Sequence, residues 1–126
     1  MIWALTDDRR LSDVARELIL SSENTIYYSV ASLWEIAIKN QKAPDRCPYN
    51  EKEIGEFCES AGFLPVAIYA GHVLTLRELR VREGRYLSNF DPFDRILLTQ
   101  AKAEGCRFMT HDAHIANYDE DCILMI

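Results

Sequence analysis

The stretch NFDPFDRILLTQAKAEG, residues 89–105, carries the clearest helix start in the chain and its densest placement of acids. Asp91 is placed to accept hydrogen bonds from the free N–H groups of a first helical turn. Pro92, at the first helical position, has a suitable φ and no donor to leave unpaired. Phe93, Leu97 and Ala101 recur at the i, i+4, i+8 spacing of a buried stripe, Ile96 widens it, Leu98 flanks it, and Gly105 supplies the stop. Asp94 then falls near the core-facing edge, at the positive end of the helix dipole, where a carboxylate stays ionised and could hold a metal. An ordinary capped helix shows the same D-P-x-D start, so both readings stand at this point.

Outward from this stretch, the chain is one globular domain spanning residues 1–126: that length buries a core without staples and leaves no room for a second domain. No apolar run approaches the ~20 residues of a membrane span. The first residues lack the basic start and long apolar segment of a signal peptide, so a cytoplasmic protein with no membrane association is expected. Cys47, Cys58, Cys106 and Cys122 form no C-x-x-C pair and read as reduced, packing thiols. A formal charge of −6 argues against a broad basic surface for non-specific nucleic-acid binding. A local rim is still available, because Arg77, Arg80, Arg82 and Arg85 cluster just before the acidic stretch; solvated surface arginines would give the same pattern.

Strands and helices alternate along the chain. Residues 1–5 are a short apolar start. Ser12 caps a helix to about Leu20 with Val14, Ala15 and Leu18 inward, and TIYYSV (residues 25–30) is a strand. The helix over residues 31–41 is apolar almost all round and is expected to be largely buried, with Glu35 in its middle. A charge there needs a partner, either Lys39 at i+4 or a metal ion. Asn50 and Glu53 make a capping box for a helix to about Ala61, FLPVAI (residues 63–68) is an edge strand, and residues 69–79 form a helix with Val73, Leu76 and Leu79 on one face. After the central helix come a strand, CRFM (residues 106–109), then Thr110, His111 and Asp112 at its carboxyl end, and a terminal strand, CILMI. His111 and His114 read as surface or turn residues, and Asp112 as a turn cap or a site residue. The alternation predicts a three-layer α/β/α fold with a mainly parallel central sheet.

Glu35, Asp94 and Asp112 are far apart in sequence, so only folding can assemble them. Clustered carboxylates repel unless a cation neutralises them, and an all-oxygen site suits Mg²⁺ or Mn²⁺ better than zinc. Such a site favours phosphoryl chemistry.

SLWEIAIKNQ (residues 32–41), DPFDRILLTQAKAEG (91–105), MTHDAHIANY (109–118) and the opening WALTDDRRLS (3–12) together resemble the PIN-domain family, in particular the VapC-type toxins of bacterial toxin–antitoxin pairs. The similarity runs through nearly the whole chain in the same order. It implies a metal-dependent endoribonuclease that hydrolyses RNA phosphodiesters by metal-activated water, holds Mg²⁺ or Mn²⁺, and is inhibited by a cognate antitoxin. By position in the motifs, Glu35, Asp94 and Asp112 are the implied catalytic and metal-binding acids, with Asp91 a weaker metal candidate. Ser32 and Thr110 would orient a carboxylate or water. Arg95 matches a motif arginine that contacts RNA phosphate or braces the acids, beside the candidate RNA-binding Arg80, Arg82 and Arg85.

Family members begin with an apolar strand ending in an aspartate, whereas only Met1 and Ile2 precede Trp3 here. The first strand and one metal-binding carboxylate are therefore expected to be missing. A symmetry mate, a rearranged segment or an oligomer such as a homodimer would then fill the gap. The competing reading is a catalytically impaired PIN-fold binding protein acting through an antitoxin or self-association. A third, a metal-dependent phosphatase, lacks a D-x-D motif after a first strand.

Overall fold

Local chemistry places most of the elements in the computed structural model, which describes residues 9–126 and divides into two compact units, Met1–Ala67 and Ile68–Ile126. In the first unit, Ser12 caps α1 (Asp13–Leu20) by accepting the Ala15 N–H at 3.2 Å. Ala15 is fully buried, while Val14, expected inward, is exposed. The buried side runs through Ala15, Leu18 and Ile19, at i, i+3 and i+4, which leaves Val14 outside it.

β1 (Tyr27–Ser29) is shorter than its apolar run, because Ser29 caps α2 (Val30–Lys42) through the Ala31 N–H at 3.0 Å and the helix takes Val30. The Asn50–Glu53 capping box, with both bonds at 2.9 Å, starts α3 (Glu51–Ser60) as expected. β2 (Leu64–Val66) then pairs parallel with β1, setting Pro65 opposite Tyr28. Tyr28, Ile36, Ile54 and Cys58 form the buried core of this unit. The expectation of a largely buried α2 is corrected: only Ala31 and Ile36 are buried, and Trp34 is 62% exposed. One helix face meets this core, so apolar residues on the opposite face stay in water.

In the second unit, the expected helix over residues 69–79 is instead α4 (Ala70–Leu74) followed by a 3₁₀ turn, Leu76–Glu78. The Thr75 hydroxyl donates back to the Gly71 and His72 carbonyls at 2.9 and 3.2 Å, competing with continued helix at that point. Of the expected inward face, Leu79 is buried and Val73 is exposed. His72 is buried in α4. Its Nδ1 accepts the Tyr69 N–H at 3.1 Å, which fixes Nε2 as the donor to Glu104 at 2.8 Å.

α5 (Pro92–Ala103) has Asp91 as N-cap and Pro92 at its start, and Gly105 follows it at φ +66, a conformation that suits glycine. Its buried side is rotated from the expected stripe: Leu98, Thr99, Gln100 and Ala101 are buried, whereas Phe93 and Leu97 are half-buried. Leu98 meets Leu79, Ile115 and Tyr118 in the core of this unit, contributed by segments before and after α5 that helical periodicity cannot register. β3 (Phe108–Thr110) and β4 (Ile123–Met125) pair parallel, with Phe108 opposite Ile123 and Thr110 opposite Met125.

The fold is mixed α/β with parallel strand pairing, as the alternation predicts; the described strands form two parallel pairs, β1–β2 and β3–β4. The apolar start, residues 1–5, lies outside the described residues. None of the four cysteines is joined in a disulfide. Among the described residues no helix is long and apolar enough to cross a membrane.

Candidate functional site

Within the second unit, the start of α5 and the end of β3 hold most of the acids singled out by sequence. Asp91 Oδ1 accepts the N–H groups of Phe93 and Asp94 at 2.8 and 3.2 Å, so its capping role is realised. Asp94 is half-buried in the first turn, where the helix dipole favours a negative charge. Its neighbour Arg95 is also half-buried, with Nε fully shielded from solvent and without a partner.

Tyr118, which the sequence reading passed over, closes this end of the helix. It is 2% exposed, and its ring packs 4.4 Å from that of Phe90, immediately before the Asp91 cap. Its hydroxyl is buried without a hydrogen-bond partner. Burial pushes the phenol far up from its ordinary value, the charges of Asp94 and Asp91 add to that, and Arg95 opposes it. Tyr118 therefore stays a neutral hydroxyl, able both to donate and to accept.

Past β3, the Thr110 hydroxyl accepts the Asp112 N–H at 3.1 Å. Asp112 Oδ1 accepts the His114 N–H at 2.8 Å and faces His114 Nδ1 at 3.0 Å. The backbone N–H of His114 holds the Asp112 carboxyl below its ordinary range against a smaller effect of burial, helped by the His114 and His111 side chains. Asp112 thus stays ionised, and it is also the turn cap that the sequence left as its alternative.

Glu35 belongs to the first unit, where it is half-buried and forms an ion pair with Lys39 at 2.5 Å, the i+4 partner read from sequence. Ser32 lies one turn earlier on α2 and is half-buried. Among the arginines, Arg80 lies 3.7 Å from both Glu120 and Asp121, Arg82 Nε donates to the Ala116 carbonyl at 2.7 Å, and Arg85 is exposed.

A resident divalent cation needs several converging donors. Among the described residues no three His, Cys, Asp or Glu side chains are grouped to hold a metal ion. Asp91, Asp112 and Glu35 are engaged with backbone N–H groups or a side-chain base. These residues do not by themselves fit a complete cation site.

Glu120 is a second group that sequence reasoning missed. Its side chain is only 3% exposed although it sits in the acidic run DEDC, which reads as solvated surface. It accepts the Arg80 N–H at 2.6 Å and Lys102 Nζ at 3.0 Å, and so ties the segment before α5 to that helix's last turn.

The PIN domain family model matches residues 1–121 of the chain. No curated protein and no solved structure matches it.

Proposed function

The chain belongs to the PIN-domain family, whose members are generally nucleases, and from that membership we propose that it is an endoribonuclease, the toxin of a type II toxin–antitoxin pair. Its substrate would be RNA, its inhibitor a cognate antitoxin, its location the cytoplasm, and residues 1–126 would act as one domain, with self-association into a homodimer. The observation that carries this reading is the family match across residues 1–121, which spans all four motif segments.

The proposed working acids are Glu35, Asp94 and Asp112, with Asp91 alongside. Asp112, ionised and anchored by backbone, is suited to accept a proton from water attacking a phosphodiester. Asp94 sits where the dipole of α5 supports its charge. Thr110 steadies the turn that presents Asp112, and Ser32 lies on the helix of Glu35. Arg80, Arg82, Arg85 and Arg95 are the proposed phosphate contacts. PIN domains usually use divalent ions, so Mg²⁺ or Mn²⁺ is the proposed cofactor.

The test is cleavage of labelled RNA with and without Mg²⁺ or Mn²⁺ by the whole chain, Asp94→Asn and Asp112→Asn. Loss of a group acting in proton transfer lowers turnover about 10²-fold or more; equal cleavage by all three forms would refute these assignments. The second reading, a PIN-fold binding protein without catalysis, is favoured by the engagement of Asp91, Asp112 and Glu35 in structural contacts. Absence of cleavage under every metal condition, together with unchanged RNA or antitoxin binding by Asp94→Asn, would select it.

A further inference from the structure

We propose that Tyr86 is a stacking platform for an unpaired base of single-stranded RNA, with Arg85 beside it as a contact to the flanking phosphate. This inference rests on the reading of the chain as an RNA-acting protein and narrows its substrate to single strands.

Tyr86 is 70% exposed, and among the described residues its ring meets no other aromatic ring and its hydroxyl makes no hydrogen bond. A ring left in water forgoes the burial through which aromatic side chains stabilise a fold. Tyr69 of the same unit is comparably exposed, but its ring lies 5.6 Å from that of His72 and no arginine adjoins it in sequence. Tyr86 instead follows Arg85 directly. The Arg85 side chain is exposed, and its guanidinium makes no hydrogen bond or ion pair among the described residues.

The segment that presents the ring is tied down on both sides. Before it, Val81 pairs antiparallel with Tyr118, the Arg82 N–H donates to the Asn117 carbonyl at 2.9 Å, and Arg82 Nε donates to the Ala116 carbonyl at 2.7 Å. The Arg85 N–H then donates to the Arg82 carbonyl at 3.1 Å, closing a turn in which Gly84 takes φ +77. After the ring, the Asn89 N–H donates to the Tyr86 carbonyl at 3.0 Å, and Leu87 and Phe90 pack against the core of the unit. A tyrosine has two χ angles, so on an anchored turn it loses little freedom when a ligand covers it.

The chemistry of this turn selects its occupant. Every base offers a π-face to an aromatic ring, and a guanidinium pairs with phosphate. Bases in a duplex are already stacked, so the ring requires a strand whose bases are free to splay out. Only the 3₁₀ turn Leu87–Asn89 and Phe90 separate Tyr86 from the Asp91 cap, a chain reach of at most about 18 Å. A strand stacked on Tyr86 therefore lies within that reach of the start of α5.

The test is binding of a fluorescein-labelled oligouridine to the whole chain in EDTA, followed by anisotropy over a range of salt concentrations. Tyr86→Ala should raise Kd about fivefold or more at every salt concentration, while Tyr86→Phe, which keeps the ring, should stay within about twofold of wild type. Stacking releases no counterion, so the slope of log K against log salt should be unchanged in Tyr86→Ala and should lose about 0.7 in Arg85→Ala. On the corresponding RNA duplex, Tyr86→Ala should bind as wild type does. Equal affinity of Tyr86→Ala and wild type for the oligouridine, an equal loss on the duplex, or no binding by the wild type overturns the platform. So does a changed sedimentation coefficient with unchanged oligouridine affinity, which assigns the ring to contact between copies of the chain. Cleavage is read separately. An inert chain that still loses affinity in Tyr86→Ala overturns the nuclease reading and keeps the platform; an active chain whose Tyr86→Ala form binds as before keeps the nuclease reading and overturns the platform.

Discussion

Replacing Glu120 should disrupt the second unit more than any exposed acid would. Its side chain is 3% exposed and accepts two hydrogen bonds at Oε1, from the Arg80 N–H at 2.6 Å and Lys102 Nζ at 3.0 Å, while Oε2 lies 3.7 Å from the Arg80 guanidinium. Glu120→Gln retains an acceptor for the Arg80 N–H but loses the negative charge and points N–H donors toward cations. Hydrogen bonds to charged groups contribute about 1.5–3 kcal/mol each. Lys102 and Arg80 are 41% and 54% exposed, so water stabilises them once the acid is gone and the ion-pair share must be discounted. The expected cost of Glu120→Gln is therefore about 1.5–2 kcal/mol. Glu120→Ala should cost about 3 kcal/mol, since it also leaves the Arg80 N–H without its acceptor. The half-exposed pair Glu35–Lys39 is worth roughly 0.3–0.5 kcal/mol, so Glu35→Gln is the internal control. Urea unfolding of the three variants gives the ranking. In 1 M salt, where the screening length is about 3 Å, the Glu120 effect should persist and the Glu35 effect should vanish. A Glu120→Gln variant within 0.5 kcal/mol of wild type, by the ~0.5 kcal/mol scale of neutral surface changes, would show that Glu120 does not hold this unit together.

Asp112 contributes stability with a defined sign. Its folded carboxyl lies below the ordinary value of 3.8, so the contribution is fully present above that value and disappears as pH falls through the lower folded one. The stability gap between wild type and Asp112→Asn should be level from about pH 5 to 7 and close in acid; a gap that widens on acidification would contradict the anchoring by the His114 N–H. For RNA, neutralising Arg80, Arg82 and Arg85 together should flatten the salt dependence of binding by roughly one unit of slope per lost phosphate contact. Arg85→Ala alone should retain a measurable part of that effect, because Arg80 is held near Glu120 and Asp121 and Arg82 is bonded to Ala116; an unchanged slope in the triple variant would remove these residues from the RNA contact.

Features set by adjacent residues were readable from the chain, and features set by remote ones were not. The starts of α1, α3 and α5 depend on an oxygen meeting an N–H two or three residues away, so Ser12, Asn50 and Asp91 announce them. The break after Leu74 is equally local, yet a periodicity argument overlooks it because Val73, Leu76 and Leu79 continue an apolar spacing across Thr75. The buried side of α5 is a different matter. Phe93, Leu97 and Ala101 fit a helical stripe as well as Leu98 and Ala101 do, and Tyr118, Ile115 and Leu79 decide which side is covered. Trp34 shows the converse, since an apolar residue on a helix is buried only where another element covers it.

The same distinction governs the acids. Glu35, Asp91 and Asp112 each have a short-range structural partner, and the sequence showed both that partner and the catalytic alternative. A carboxylate that caps a turn is also one held ionised at a fixed place, where it can orient a water, although the hydrogen bonds that hold it make it a weaker base. Asp94 differs in the reach of its charge: Tyr118 lies 24 residues further along the chain, outside the α5 cap, and the Asp94 carboxylate adds to the effect of burial in pushing its phenol up. No local pattern marks Tyr118, whose ring packs against Phe90 and whose hydroxyl is buried. When Asp94 becomes Asn, Asp91 still accepts the N–H groups of Phe93 and of residue 94, so the helix start is expected to persist while the charge is lost.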